Sequence, residues 1–258
     1  MFFRNFPKTT YDYLQNGIQS KVVDLFRFVK PIEQFKDELD LYSFYQIQEG
    51  DRPDVVSQLL YNTPEYYWTF FIINETLRSS ISAWPLSSYE FEKYMEEEYT
   101  GTVITCRPHY VYDGDGMLVS IENSLADRFK VGESVVGFLS GATGVIHSKD
   151  PSKQQLVITN VEGVFQENEI VRGNTTEDYV TTYQVMDWQL ASHHFEDATG
   201  REVDNNLFIS GGYAWTQSSI VTYREYEEKM NDERSKIRVV RPDRIFEFAQ
   251  AYQDLINR

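Results

Sequence analysis

Residues 44–88 read FYQIQEGDRPDVVSQLLYNTPEYYWTFFIINETLRSSISAWPLSS, and the fold is decided on this stretch. Tyr45 and Ile47 alternate with polar neighbours, the pattern of a half-buried strand. Gly50 and Asp51 supply a turn, because Gly accepts a positive φ and Asp can bond the backbone two residues on. Pro53 suits the first turn of a helix, where its missing N–H costs nothing. Val55, Val56, Leu59 and Leu60 then make one apolar face at helical spacing. Asn62-Thr63-Pro64 breaks that helix, and Tyr66-Tyr67-Trp68 opens a second one running through Phe71, Ile72 and Ile73 to Asn74. Strand, turn, two helices and a Trp84-Pro85 exit form one unit.

This order of elements resembles the LysM-type βααβ module. Tyr45, Gly50, Asp51, Leu60, Tyr61, Trp68, Phe71 and Asn74 match its pattern of a strand Tyr, a Gly-Asp turn, an aliphatic helix ending in Tyr, and Trp-x-x-Ile/Phe-x-x-Asn. The resemblance implies either a binder of N-acetylglucosamine-containing glycans or a packing unit without a sugar site.

The 258 residues can hold one large or two to three small domains, and 41% hydrophobic content supports real cores. With 18 Tyr and 17 Phe, the aromatic load suits rich cores or surfaces covered by partners. A net charge of −16 argues against nucleic-acid binding, which needs Lys and Arg to neutralise phosphates, and against adhesion to an anionic membrane. The one cysteine, Cys106, excludes an internal disulfide framework and a cysteine-rich zinc site. No stretch approaches the ~20 apolar residues that span a bilayer, and MFFRNFPKTTYDY does not read as a signal peptide.

The composition changes along the chain and sets an α+β expectation with four parts. Residues 1–43 read as an extended N-terminal arm with aromatic anchors, among them Phe2, Phe3 and Phe6, too short to make its own core. Residues 44–99 hold the LysM-like module and an acidic helix begun by Ser87 or Ser88, its Glu-rich end a solvated face. Residues 100–185 are β-rich, with glycine turns at close spacing, as in a small β-barrel or sandwich. An internal echo lies within them: FKVGESVVG at 129–137 and FQENEIVRG at 165–173 both follow F-x-x-[GN]-E-x-[VI]-x-G. Residues 186–258 form a C-terminal segment. Tyr223 to about Lys236 reads as a charged helix, Ile237–Val240 as a strand, and a final helix places Ile245, Phe248, Tyr252 and Leu255 on one face.

Taken together, the chain resembles the baseplate wedge protein 53 family of T-even-like phages. Three blocks carry the likeness: Asp24-Leu25-Phe26-Arg27-Phe28-Val29; the LysM-like block from Asp51-Arg52-Pro53 to Trp84-Pro85-Leu86-Ser87; and the tail from Tyr226 to Ile256, with Asn231-Asp232 leading into Lys236-Ile237-Arg238-Val239 and Pro242. The β-rich middle departs from that pattern and looks like an insertion. The resemblance implies a non-enzymatic structural protein of the virion, assembled in the host cytoplasm, that joins neighbouring wedges around the hub of a contractile-tail baseplate. Other wedge subunits, and the hub, are the implied partners, with no cofactor.

Candidate chemistry is sparse. His193-His194 with Glu196 and Asp197 is the best metal-like cluster, but adjacent histidines point in different directions and zinc needs three or four convergent ligands. Asp113-Gly114-Asp115-Gly116 breaks the calcium-loop pattern at Met117-Leu118 and reads as a hairpin turn. Ser140-Gly141-Ala142-Thr143-Gly144 lacks the Lys-Ser/Thr of a phosphate loop. Arg234, Lys236, Arg238, Arg241 and Arg244 form a basic cluster in an acidic chain and suit an acidic partner surface. The expected interface therefore comprises the aromatic arm, this cluster and the last helix with Tyr252. Trp68 is expected to be buried in a rigid core.

Overall fold

The computed structural model describes residues 7–12, 15, 17–24, 40–203 and 219–257. The chain divides into two units, Met1–Tyr89 with Lys229–Arg258, and Glu90–Glu228. Residues 186–258 are thus shared between them. Phe2, Phe3, Phe6, the 25–30 segment and Gly211-Gly212 lie outside the described residues.

The fold is mixed α and β. From the N-terminus, β1 (Lys8–Tyr11) and β2 (Ser20–Val23) form an antiparallel hairpin. β3 (Tyr42–Gln46) leads into α1 (Pro53–Tyr61), a 3-10 turn at Pro64–Tyr66 and α2 (Trp68–Ile73). Helix α3 (Ser88–Glu98) precedes β4 (Thr102–Cys106), the hairpin β5 (His109–Tyr112) and β6 (Leu118–Glu122), β7 (Ser134–Gly137), β8 (Thr143–Asp150), β9 (Gln155–Glu162), β10 (Ile170–Gly173) and β11 (Tyr179–Asp187). β12 (Ser192–Glu196) pairs on one side with β13 (Glu202–Val203) and on the other with β14 (Ser219–Thr222). Helix α4 (Tyr223–Ser235), β15 (Lys236–Val240) and α5 (Ile245–Asn257) complete the described chain.

In the first unit, β3 pairs antiparallel with β15, from Lys236↔Gln46 to Val240↔Tyr42. The strand that completes the β-α-α order therefore comes from the far end of the chain. Asn231 clamps this closure: its side-chain amide donates to Leu86 C=O (3.0 Å) and its Oδ1 accepts from Leu86 N–H (2.8 Å). The chain thus leaves and re-enters this unit at hydrogen-bonded neighbours.

Pro53 starts α1 as anticipated, and Asn62 ends it in the left-handed conformation (φ 58°). The buried face of α1 differs from the expected one. Val56, Ser57 and Tyr61 face inward, whereas Val55 and Leu59 are exposed. The reason is local: Ser57 Oγ donates to Thr63 C=O (2.8 Å) and accepts from Tyr66 N–H (3.2 Å), tying α1 to the turn that follows. On α5, Ile256 takes the buried place expected of Leu255 beside Ile245, Phe248 and Tyr252. The shared core brings Val56, Trp68 and Phe70 against Ile237, Phe248 and Tyr252.

The second unit contains a closed six-stranded barrel, ordered β10-β11-β4-β9-β8-β7. The repeated motif explains much of its closure. Its two copies lie 36 residues apart, and β7–β8 pairing (Val135↔Gly144) recurs as β10–β11 pairing (Val171↔Val180) at that offset. β7 and β10 pair with each other so that Val136 faces its own counterpart, Arg172. A local pseudo-twofold axis therefore passes between them. The fixed motif positions each serve the closure. Phe129 and Phe165 are buried, Gly132 and Asn168 take positive φ, and Val135 and Val171 fill the core.

The motif glutamates lock the copies reciprocally. Glu133 accepts from Lys130 N–H (2.6 Å) and from Thr175 and Thr176 N–H (3.2 and 3.1 Å), in the loop after the second copy. Glu169 accepts from Gln166 N–H (2.6 Å) and from Leu139 and Ser140 N–H (3.1 and 3.0 Å), in the loop after the first. Gly137 and Gly173 leave room for this: a Cβ on either would lie within 3 Å of a glutamate oxygen. Burial alone would push both carboxyls up, but the hydrogen bonds, chiefly from Lys130, Thr176 and Thr175 in one case and Gln166, Ser140 and Leu139 in the other, outweigh it and hold both below the usual carboxylate range.

A carboxyl with a lowered folded pKa stabilises fully above the unfolded value of about 4.3, and its contribution fades as pH falls through the folded one. Glu133→Gln and Glu169→Gln are each expected to cost about 1–3 kcal/mol near neutral pH. In urea titrations followed across pH, wild-type stability should drop below about pH 4, and the variants should show a shallower acid loss.

Candidate interaction surface

β15 and its flanks carry the basic cluster, and the side chains divide into two groups. Lys236 pairs with Asp232 (2.6 Å), one helical turn before it. Arg241 pairs with Asp40 (3.1 Å) and Asp243 (3.3 Å), and Arg244 with Glu247 (3.0 Å), whose carboxylate holds the guanidinium pKa above its ordinary value. These three cations are answered by neighbouring carboxylates. Arg234 and Arg238 carry no ion pair among the described residues. Arg238 lies opposite Phe44 across the ribbon, and both are exposed, Phe44 by 83%. Ion pairs thus divide the five cations, and of the two without one among the described residues Arg238 stands beside the exposed Phe44.

Tyr252 corrects the expected interface. It is buried (4% exposed), tilted against Trp68 at 5.2 Å between ring centroids, and burial pushes its hydroxyl pKa up to about 12. The inner face of α5 is core, because Phe248, Ala249, Tyr252 and Ile256 recur at helical spacing against α2 and β15 residues. Phe246 alone of its large apolar side chains is strongly exposed, at 70%.

The Gly50-Asp51 turn and the Asn74 end of α2 spend their polar groups internally. Asp51 Oδ2 accepts from Tyr45 Oη (3.3 Å) and Gln48 N–H (3.2 Å), while Asp51 C=O accepts from Trp84 Nε1 (2.7 Å). Burial, with the Asp51 charge and hydrogen bond, raises the Tyr45 hydroxyl pKa. Asn74 Nδ2 donates to Phe70 C=O (2.8 Å) and Arg238 C=O (2.9 Å), and its Oδ1 accepts from Arg238 N–H (2.8 Å). Trp68 is buried at 6% exposure.

The other candidates resolve into structure. Among the described residues, no group of three or more His, Cys, Asp or Glu could hold a metal ion. His193 and His194 do not point apart. A register irregularity between Ser192 and His194 brings their Nδ1 atoms to 2.8 Å, and His194 Nε2 meets Glu196 Oε1 at 3.2 Å. His193 stacks on Tyr226 (4.0 Å), and burial, with the neighbouring His194 and Lys153 charges, disfavours its protonated form. Asp113–Gly116 makes the β5–β6 hairpin turn, with Asp113 N–H donating to Met117 C=O (2.9 Å). Cys106 is buried, and burial pushes its thiol pKa up to about 12 against the opposing effect of Arg128, which leaves an inert thiol.

The Phe44–Arg238 pair escaped sequence reasoning because nothing local links residues so far apart. No protein-family model matches the chain, and no curated protein matches it significantly.

Tyr252→Ala should cost about 3–5 kcal/mol in denaturant titrations, the cost of emptying an aromatic core site. Arg244→Ala, by contrast, should leave the denaturant midpoint nearly unchanged, because its ion pair with Glu247 is solvent-exposed. Equal small effects would return Tyr252 to the surface.

Proposed function

We propose that this protein is a structural component of a contractile-tail phage baseplate wedge, joining neighbouring wedges around the hub during tail assembly. One observation carries the reading. Of the two larger sequence blocks that resemble the wedge family, the first and the tail from Lys229 onward lie in a single unit, while the β-rich middle lies wholly within the other. The arrangement is the one expected of a family core with an inserted module. The order β3-α1-α2-β15, a two-stranded antiparallel ribbon with two short helices, is LysM-like in this reading.

The core acts as a rigid joint. Trp68, Phe70, Phe248 and Tyr252 pack against one another or their neighbours, so the aromatic helix serves packing and leaves the outer surface for partners. Glycan binding is the weaker reading, because Asp51 and Asn74 are engaged within the chain and Trp68 is buried. No helix among the described residues is long and apolar enough to cross a membrane.

The protein should co-purify with other wedge subunits, and tails assembled without it should stall as incomplete baseplates. Complete, infectious particles in its absence would overturn the proposal. Chitin oligomers and purified cell wall should fail to bind at high protein concentration, and saturable binding would favour the glycan reading instead.

A further inference from the structure

A ribbon of two strands has two outer edges, and the backbone groups on each need partners. The ladder fixes which residues face outward. Ile47 N–H donates to Ser235 C=O (2.9 Å), and Arg241 N–H to Leu41 C=O (3.0 Å), at the two ends of the β3–β15 pair. Hydrogen-bonded pairs alternate along an antiparallel ladder, so the odd-numbered residues of β3 face β15. Tyr42, Phe44 and Gln46 turn their backbone groups away from it, as do Lys236, Arg238 and Val240 on the opposite strand.

The two edges are treated differently. On β15, the Asn74 amide satisfies both the N–H and the C=O of Arg238, and Tyr61 Oη donates to Val240 C=O (2.9 Å). Side chains of the same unit therefore cover that edge at Arg238 and at the Val240 carbonyl. On β3, Gln48 Nε2 donates to Gln46 C=O (2.9 Å), but the N–H and C=O of Phe44 have no partner among the described residues. Phe44 and Arg238 share the outer face of the ribbon as opposite residues, with Gln46 and Lys236 beside them.

We infer that the outer edge of β3 receives an extended acidic segment of another polypeptide, which pairs with the backbone at Phe44 and sets a carboxylate against Arg238. Charge complementarity selects the sign. The chain as a whole, at −16, repels acidic segments, whereas this face presents Arg238, which has no ion pair among the described residues. An added strand lies about 4.8 Å beyond β3. Its side chains on this face cover the Phe44 ring, and a carboxylate there meets the guanidinium reaching across from β15. Backbone bonds supply the affinity and alternate side chains the selectivity. The inference stands on the ribbon alone and holds or falls separately from the baseplate reading.

The test uses the full-length protein and two synthetic peptides of roughly eight residues, one alternating valine with glutamate, the other valine with lysine. Binding is measured by fluorescence anisotropy, and the site by amide hydrogen exchange. The glutamate peptide should bind at least about tenfold more tightly and slow exchange at Phe44. Phe44→Pro removes an N–H that makes no bond among the described residues, so it should abolish binding while the thermal melt is kept. Arg238→Glu should reverse the preference between peptides, which keeps the test decisive should Phe44→Pro disturb the fold. Equal binding of both peptides, protection confined to residues away from β3, or an unchanged preference in Arg238→Glu would overturn the inference.

Discussion

The pairing of Tyr42–Gln46 with Lys236–Val240 is the constraint on which the first unit depends. It joins two ends of the chain and gives α2 and α5 a common surface, since Ile237 and Val239 on its inner face belong to the core that holds Trp68 and Phe248. Without it, α1 and α2 would have no strand partner to complete their packing, and a two-stranded ribbon this short is marginal alone. Asn74 ties the end of α2 to Arg238, and Asn231 ties Leu86 to the start of the return path. Closing so long a loop is less costly than its length suggests, because the entropy grows only as the logarithm of length, about 0.6 kcal/mol per doubling. A large module can therefore sit between Leu86 and Asn231 without undoing the unit.

The barrel solves its closure by another route. A duplicated nine-residue motif places one buried glutamate in each copy, and each glutamate holds the loop that follows the other copy. Each lock links both copies, so a change at Glu133 is felt at Thr175 and Thr176 and one at Glu169 at Leu139 and Ser140. The loops themselves diverge: Phe138 and Leu139 are exposed in the first, where the second has Asn174 and Thr175. The polar second loop makes an equivalent lock, so the apolar tip of the first is not required by the turn.

Local physics made much of this legible in the sequence. The Gly50-Asp51 turn, the Pro53 helix start, the Asp113–Gly116 hairpin and the repeated β motif all follow from residue chemistry at short range. The choice between a barrel and a sandwich did not, because strand order in a closed sheet depends on non-local pairing. The face of α1 was misjudged since a nine-residue helix offers two adjacent apolar stripes, and a serine hydrogen bond selected between them. The neutralised part of the basic cluster was partly readable: Asp232 and Lys236 are one helical turn apart, and Arg244 and Glu247 are spaced for a pair. Asp40 as a partner of Arg241, and Phe44 as the neighbour of Arg238, required the fold.

The closure by β15 predicts that the first unit survives excision of the second. A chain of residues 1–89 joined by a short Gly/Ser linker to 229–258 keeps only Trp68 and Trp84, both buried in the full protein. A urea titration of that chain followed by tryptophan fluorescence should show a blue-shifted native spectrum and a single cooperative transition. A red-shifted spectrum with no transition would contradict the account.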